Sequence, residues 1–199
     1  MKHLILIGLP GSGKTTVGRL AAERLGLPFS DCDTLIEVET GLRIPAIFAQ
    51  QGESGFRAVE SRILAALLRE DTRVIATGGG VVESAENRRL LSESGVVVLL
   101  DRDIRQIAGC VGNRERPLLK QYTLEQLARR RRDWYLDCAD AAIGSGTAEL
   151  IEGAEKLDAL SALMRHMAGR EDTFTEEQAR GVAVLAIRVR SLSAKAKKH

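Results

Sequence analysis

Short, uninterrupted apolar runs predict the strands of this chain. Leu4–Ile7, Arg73–Ala76 and Gly95–Leu100 are built almost entirely of apolar residues, without polar alternation. Such runs are typical of strands that are buried on both faces of a sheet. Shorter strands are predicted at about Pro28–Ser30 and Ala141–Ile143. The pattern therefore favours a buried sheet of about five strands.

Between these runs, apolar residues recur at helical spacing. In the first such segment, about Lys14–Leu25, the apolar positions include Val17 and Leu20, and Gly26 is a suitable C-cap. Further helices are predicted over about 33–70, with breaks at Gly41 and Gly52, and over about 83–91, 104–108, 123–138 and 148–166. Strands that alternate with helices predict an α/β domain, a doubly wound parallel sheet covered by helices on both faces.

Composition and charge exclude several classes of protein. Of the 199 residues, 44% are hydrophobic and 28% charged, as in a soluble globular domain. The 29 Lys and Arg nearly balance the 27 Asp and Glu, so the chain lacks the basic footprint of a nucleic-acid binder. No apolar run approaches the roughly 20 residues that span a bilayer, and the three cysteines show neither disulfide nor zinc spacing. We expect a cytoplasmic protein without nucleic-acid or membrane partners.

A phosphate-binding loop follows the first predicted strand. The segment GLPGSGKT, from Gly8 to Thr15, matches G-x-x-x-x-G-K-[ST] at every fixed position. Its glycines let backbone N–H groups turn toward phosphate oxygens at the positive end of the following helix. Lys14 can reach the β- and γ-phosphates, and the Thr15 hydroxyl is placed to bind Mg²⁺. The predicted nucleotide-binding residues are Gly11, Ser12, Gly13, Lys14, Thr15 and Thr16.

Two aspartates, Asp31 and Asp33, follow the second predicted strand, at the sheet edge where open α/β folds bind ligands. In an extended segment their side chains point the same way. One could hold a metal-bound water, and the other could accept a proton or a hydrogen bond from a substrate hydroxyl. The alternative is that Asp33 caps the next helix.

Three further features could bind an acceptor or the nucleotide. Arg57 lies three residues before Glu60, so the pair is either a fixed fork for a carboxylate or an ordinary exposed ion pair. Thr77–Gly80 ends the third strand, where three glycines indicate either a ligand against the backbone or a tight turn. A loop arginine within Arg114–Leu119 could close over the γ-phosphate.

Together these motifs resemble those of the shikimate kinase family. The P-loop, the D-x-D of Asp31 and Asp33, the G-x-x-x-F-R of Gly52–Arg57, the T-G-G-G and the R-P-L-L of Arg116–Leu119 occur in the family's order over about residues 3–143. The resemblance implies a nucleoside-kinase-like fold with a mobile lid. It also implies transfer of the γ-phosphoryl group of MgATP to the 3-hydroxyl of shikimate, a step of aromatic amino acid biosynthesis.

The resemblance assigns roles on the acceptor side. Asp33 would contact the acceptor hydroxyl, Arg57 the shikimate carboxylate, and Gly79 the ring through its backbone. The family's second carboxylate-binding arginine lies four residues before a tyrosine, which corresponds to Arg131 before Tyr135. The i, i+4 relation puts this pair on one helix face, although a one-residue slip would select Arg130 or Arg132.

The resemblance also assigns roles on the nucleotide side. Thr15, with Asp31 acting through water, would hold Mg²⁺. Lys14 and the lid residue Arg116 would neutralise charge on the transferring phosphoryl group. The arginine that the family usually carries shortly before the lid arginine is replaced here by Gly109–Cys110.

We predict a kinase domain over residues 1–168, with a substrate-binding segment at about 33–60 and a lid at about 109–123. An extension at 169–199 is predicted to be helical and then disordered, and we expect a monomer. One alternative is a P-loop kinase for another small acceptor, such as gluconate or a nucleoside monophosphate. Another is a shikimate-kinase-like module that binds nucleotide for regulation only.

Overall fold

The computed structural model describes residues 2–110, 117–120, 122–143, 146–151, 154, 157–158, 161, 175 and 184–189. The chain divides into two compact units, one built on Met1–Gly144 and the other on Ser145–Arg190. This division falls before the domain boundary near residue 168 that the sequence predicts. Among the described residues, no helix combines the length and the apolar character that crossing a membrane requires.

Five parallel strands form the sheet of the first unit, in the order β2-β3-β1-β4-β5. Leu6 at the centre of the sheet pairs with Ala76 on one side and with Val98 on the other. The predicted doubly wound parallel sheet is confirmed. The strands are β1 (His3–Ile7), β2 (Phe29–Asp31), β3 (Val74–Ala76), β4 (Gly95–Leu100) and β5 (Ala141–Ile143).

Helices and two short 3₁₀ turns connect these strands. The first helix ends at Gly26, whose left-handed φ of 62° suits a glycine C-cap, and the third bends at Gly52, where φ is 70°. Both breaks agree with the sequence pattern. The described helices of this unit are α1 (Lys14–Leu25), α2 (Cys32–Thr40), α3 (Ile44–Leu67), α4 (Ala85–Ser94), α5 (Ile104–Cys110) and α6 (Leu124–Cys138), and the 3₁₀ turns are Val81–Glu83 and Pro117–Lys120.

The buried face of α1 consists of small residues and not of its apolar stripe. Gly18 and Ala22 are buried, whereas Leu20 and Leu25 are 55% and 45% exposed. A Cβ on Gly18 would lie 2.6 Å from Cε2 of Phe29. The helix can therefore pack close to β2 only because residue 18 is glycine, since the ring of Phe29 fills the space beside it.

The core occupies both faces of the sheet, because successive strand residues point to opposite sides. Ile5 and Ile7 of β1 belong to the larger cluster, together with Leu64 of α3 and Leu127 of α6. Leu6, between them, packs with Val98 and Leu100 on the other face. Because the faces of the sheet are covered by this packing, the loops at the carboxyl ends of the strands are the part of the sheet that can carry a site.

The described strands of the second unit form an antiparallel pair, β6 (Gly146–Ile151) and β7 (Val184–Val189). The helix predicted over about 148–166 is wrong in its first residues, which belong to β6. In the tail predicted to be helical and then disordered, 184–189 is a strand instead. Its sequence, VLAIRV, is rich in the β-branched residues that favour strands.

Candidate active site

The P-loop connects β1 to α1 at the carboxyl edge of the sheet. Gly8 passes so close to β4 that a Cβ there would lie 2.6 Å from the carbonyl oxygen of Leu100. Gly13, the N-cap of α1, has a φ of 98°, which strongly favours glycine. The buried Lys14 donates hydrogen bonds from Nζ to the carbonyl oxygens of Gly8 and Leu9, both at 2.9 Å. The ammonium group is thus held at the loop that would receive the phosphates.

The side chains of the loop offer hydroxyl groups to the nucleotide. Ser12 Oγ is buried and has no hydrogen-bond partner among the described residues, so a phosphate oxygen would satisfy it. Thr15 and Thr16 are exposed in the first turn of α1, where the helix dipole favours an anion. Gly11, with a φ of 85°, lies in the turn between β1 and α1.

Asp31 and Asp33 have different positions, because α2 begins between them at Cys32. Asp31 is the N-cap: its Oδ1 accepts from the backbone N–H of Asp33 at 3.0 Å and of Thr34 at 3.4 Å. Its Oδ2 accepts from the Thr15 hydroxyl at 2.6 Å. The interpretation of Asp33 as the cap is therefore wrong. The strand alternation that would have aligned the two carboxylates does not apply either, since Asp33 lies within the helix.

A cavity of about 680 Å³ opens beside the P-loop. The predicted acceptor residues Asp33, Arg57, Gly79 and Arg131 all line it, together with Glu60. They come from α2, α3, the loop after β3, and α6, segments far apart in the sequence. The fold thus brings the carboxylate of Asp33 and the guanidinium groups of Arg57 and Arg131 to a single cavity.

Arg57 is surrounded by carboxylates. Its Nη1 donates to Glu60 Oε2 at 2.7 Å, and its Nη2 donates to Glu53 Oε1 at 3.3 Å and lies 3.7 Å from Glu83 Oε1. The side chain is only 19% exposed, so the alternative of an exposed surface ion pair is wrong. Its buried Nε has no hydrogen-bond partner in the described part of the chain, which leaves a donor for an incoming anion.

Glu60 is the buried partner of Arg57. Its side chain is 2% exposed, and burial raises the pKa of Glu60, while the cation of Arg57 acts in the opposite direction. Oε1 has no hydrogen-bond partner among the described residues. A Cβ on Gly78 would lie 2.5 Å from this oxygen. The glutamate therefore packs directly against the loop after β3.

That loop requires glycine because side chains of the cavity pack against its backbone. A Cβ on Gly79 would lie 2.8 Å from Cδ of Pro10, and a Cβ on Gly80 would overlap the guanidinium group of Arg57. The φ of Gly80 is −104°, an ordinary value, so backbone strain is not the reason for this glycine. Close approach, rather than a tight turn, accounts for the T-G-G-G sequence.

Arg131 is the buried member of the arginine run in α6. It is 1% exposed, whereas its neighbours Arg129, Arg130 and Arg132 are exposed. Its Nη1 donates to the Gly79 carbonyl oxygen at 3.1 Å, and the Tyr135 hydroxyl donates to the same oxygen. Arg131 and Tyr135 thus share one helix face, as the i, i+4 spacing predicts.

Glu83, which no sequence motif indicates, contacts the arginines of this site. Its Oε1 accepts from Arg131 Nε at 2.8 Å, and its Oε2 accepts from Arg130 Nη2 at 3.1 Å. These partners are 48 and 47 residues away in the sequence, so no local spacing could have indicated the contact. The predicted lid residue Arg116 lies outside the described residues. The nearby Pro117 and Leu118 line the cavity.

The oxygen ligands at the P-loop suit a magnesium ion that arrives with a nucleotide. In the described part of the chain, no cluster of three or more His, Cys, Asp or Glu residues could hold a metal. The Thr15 hydroxyl and the Asp31 carboxylate are nevertheless hard oxygen ligands at the phosphate edge. Mg²⁺ commonly takes one or two protein ligands and completes its shell with phosphates and water.

Sequence comparison shows the relatives of this chain. A family model described as shikimate kinase matches residues 10–160. The shikimate kinase of Burkholderia thailandensis is 44% identical over 149 residues, which cover 72% of this chain and 81% of the relative. That of Symbiobacterium thermophilum is 44% identical over 148 residues, covering 71% and 85%.

Solved structures agree with the sequence comparison. A shikimate kinase from Acinetobacter baumannii in complex with shikimate superposes with a TM-score of 0.70 at 36% identity, covering 86% of this chain and 96% of that one. The shikimate kinase from Aquifex aeolicus gives a TM-score of 0.66 at 32% identity, covering 84% and 99%. By its sequence, its fold and the residues gathered at its cavity, the chain belongs to the shikimate kinase family, enzymes that phosphorylate shikimate with ATP.

Proposed function

We propose that this chain transfers the γ-phosphoryl group of ATP to the 3-hydroxyl of shikimate and releases shikimate 3-phosphate and ADP. The observation that carries the proposal is the convergence of Asp33, Arg57 and Arg131 on one cavity beside the P-loop. Shikimate is a small acid with several hydroxyls. Two arginines and one aspartate provide complementary groups for its carboxylate and for the reacting hydroxyl.

The carboxylate would be bound between the guanidinium groups of Arg57 and Arg131. Each has a buried nitrogen without a hydrogen-bond partner among the described residues, Nε in Arg57 and Nη2 in Arg131. Buried donors of this kind are costly unless a ligand satisfies them. This pair of donors favours an acidic acceptor over a neutral polyol.

Asp33 would accept a hydrogen bond from the 3-hydroxyl and orient its oxygen toward the γ-phosphorus. Two observations support this role: Asp33 lines the cavity from the first turn of α2, and the N-cap of that helix is Asp31. Loose phosphoryl transfer requires positioning more than early proton abstraction, so the proton can pass to Asp33 late in the reaction.

The P-loop would bind the phosphates through its backbone N–H groups and the Ser12 hydroxyl. Lys14, released from the carbonyls of Gly8 and Leu9, would follow the charge that develops on the transferring group. Magnesium, which offsets charge on the β- and γ-phosphates, would be held by Thr15 directly and by Asp31 through water. We assign the lid residue Arg116 to the γ-phosphate as well.

The proposal also includes the setting in which the enzyme works, a cytoplasmic monomer that acts without nucleic acid or membrane. The near balance of 29 basic and 27 acidic residues supports independence from nucleic acid. Size-exclusion chromatography with light scattering measures the assembly state, and a dimer would contradict this part of the proposal.

ADP release in a coupled assay, with and without shikimate, tests the reaction. We expect ADP release to require shikimate. Gluconate should not substitute for shikimate in this assay. Asp33→Asn should abolish transfer and leave MgATP binding measured by calorimetry almost unchanged, while the exposed Asp71→Asn serves as the matched control. ATP hydrolysis that ignores shikimate, or an Asp33→Asn variant that no longer binds MgATP, would contradict the assignment.

A further inference from the structure

Glu83 lies where the two arginines of the acceptor cavity approach each other. Its Oε1 is 2.8 Å from Arg131 Nε, 2.7 Å from Arg131 Nη2 and 3.7 Å from Arg57 Nη2. Its Oε2 accepts from Arg130 at 3.1 Å. The glutamate side chain is 12% exposed and Arg131 is 1% exposed. One carboxylate thus contacts α3 and α6 from the turn that follows the glycine loop.

The turn that carries Glu83 is anchored in the core and by hydrogen bonds from α4. Val81 and Val82 before it are fully buried in the core. The carbonyl oxygen of Val81 accepts from Asn87 Nδ2 at 3.2 Å, and that of Val82 accepts from Arg88 Nη1 at 2.6 Å. Arg88 in turn stacks on the Trp134 ring, 5.4 Å from its centroid. A side chain on such a turn can fix the position of another side chain.

The contacts of Arg131 show what Glu83 contributes. Nε donates to Glu83 and Nη1 donates to the Gly79 carbonyl, so two of its three nitrogens bond to fixed groups. The third, Nη2, forms an ion pair with Glu83 but no hydrogen bond among the described residues. Without Glu83 the buried guanidinium would keep one hydrogen bond to the described residues, would lose this ion pair and could rotate about its stem.

We propose that Glu83 is a positioning residue for substrate binding: it orients Arg131 so that Nη2, which is paired with Glu83 but makes no hydrogen bond among the described residues, meets the carboxylate of the acceptor. This inference rests on the proposed phosphorylation of shikimate. Glu83 acts through Arg131, as the supporting groups around a binding site fix their ligands. The Nε bond needs only an acceptor at Oε1, so a glutamine amide oxygen can replace it.

The test compares Glu83→Ala and Glu83→Gln in the full chain, with the KM for shikimate, the KM for ATP and kcat measured for each. We expect Glu83→Ala to raise the KM for shikimate by about tenfold or more, the loss of one hydrogen bond to a charged group. The KM for ATP should remain unchanged and kcat should stay within about threefold, since the side-chain contacts of Glu83 are with Arg57, Arg130 and Arg131. Glu83→Gln should restore the KM for shikimate to within about threefold of the wild-type value.

Glu86→Ala is the matched control, because Glu86 also pairs with an arginine nearby but is exposed. It should leave all three constants unchanged. A second measurement combines Glu83→Ala with Arg131→Ala in one chain. In the Arg131→Ala background, Glu83→Ala should raise the KM for shikimate by less than about twofold, because the two residues act as one unit.

Shikimate-dependent ADP release by the wild-type enzyme is measured first, and its absence would contradict the proposed function itself. Given that activity, an unchanged KM for shikimate in Glu83→Ala would overturn the inference. A rise of similar size in both KM values together with a fall in kcat would overturn it too, because such a result indicates general structural damage. A glutamine variant as impaired as the alanine variant, or full additivity with Arg131→Ala, would also exclude positioning through Arg131.

Discussion

The Thr15 hydroxyl donates a hydrogen bond to Asp31 Oδ2 at 2.6 Å and joins the first turn of α1 to the start of α2. The two residues are the magnesium ligands that the family resemblance implies, one direct and one through water. The same Asp31 caps α2 through its other oxygen. One side chain therefore has a structural and a proposed metal-binding role, which suitable substitutions can separate.

Asp31→Asn should raise the Mg²⁺ concentration needed for half-maximal activity several-fold and leave the melting temperature nearly unchanged. Asparagine caps helices about as well as aspartate but does not carry the negative charge that attracts the ion. Asp31→Ala should weaken the magnesium response and also lower stability by about 1 kcal/mol, the usual cost of a lost cap. Magnesium titrations at fixed ATP and thermal melts measure the two effects, and an unchanged magnesium response in both variants would remove Asp31 from the metal site.

Gly80→Ala should weaken shikimate binding although it adds only one methyl group. The new Cβ would overlap the Arg57 guanidinium, which must then leave its position against the loop. We expect a higher KM for shikimate and an unchanged KM for ATP. The same change in an Arg57→Ala background is the control, because the methyl group then has no guanidinium to displace. A penalty that persists there would indicate that the loop backbone, and not Arg57, is disturbed.

Arg131→Ala should reduce shikimate affinity by about 1.5–3 kcal/mol, the range for a hydrogen bond to a charged group. Arg129→Ala is the matched control, since its side chain is exposed on the same helix. Calorimetric titration with shikimate gives both values directly. Equal, small effects in the two variants would show that Arg131 does not bind the shikimate carboxylate.

The acid limb of kcat/KM for shikimate should lie above the ordinary glutamate pKa of 4.5, because burial raises the pKa of Glu60. Arg57 and Arg131 oppose this shift, and Asp33 adds to it. As the pH falls through the raised pKa, Glu60 becomes neutral and its ion pair with Arg57 is lost. In Glu60→Gln this limb should disappear while the shikimate carboxylate still titrates at lower pH. A limb that stays in place would assign the titration to another group.

The strands and several element boundaries could be predicted from the sequence because local signals determine them. The apolar run of β4 has the predicted bounds Gly95–Leu100, and the αL glycine Gly26 ends α1. The choice between Asp31 and Asp33 as helix cap could not be predicted, because both precede the same apolar pattern. It depends on where β2 ends and α2 begins, which the packing of the two elements decides.

Tertiary contacts explain what the sequence pattern missed. Gly18 faces the sheet instead of Leu20 because the ring of Phe29 limits the space beneath α1. The role of Glu83 has no local sequence signal, because its partner Arg131 is 48 residues away in α6, beyond β4 and α5. Arg57 and Asp33 were identified through motifs, but their common cavity is a property of the folded chain.

The stacking of Arg88 on Trp134 provides the protein with an optical reporter. The chain has a single tryptophan, and it lies in α6 three residues after Arg131. Its emission therefore comes from one known place, the side of α6 that packs against the core, on the helix that carries Arg131. A change in its intensity or wavelength on adding shikimate would follow acceptor binding without a label and without turnover, so affinities of inactive variants can be measured by fluorescence.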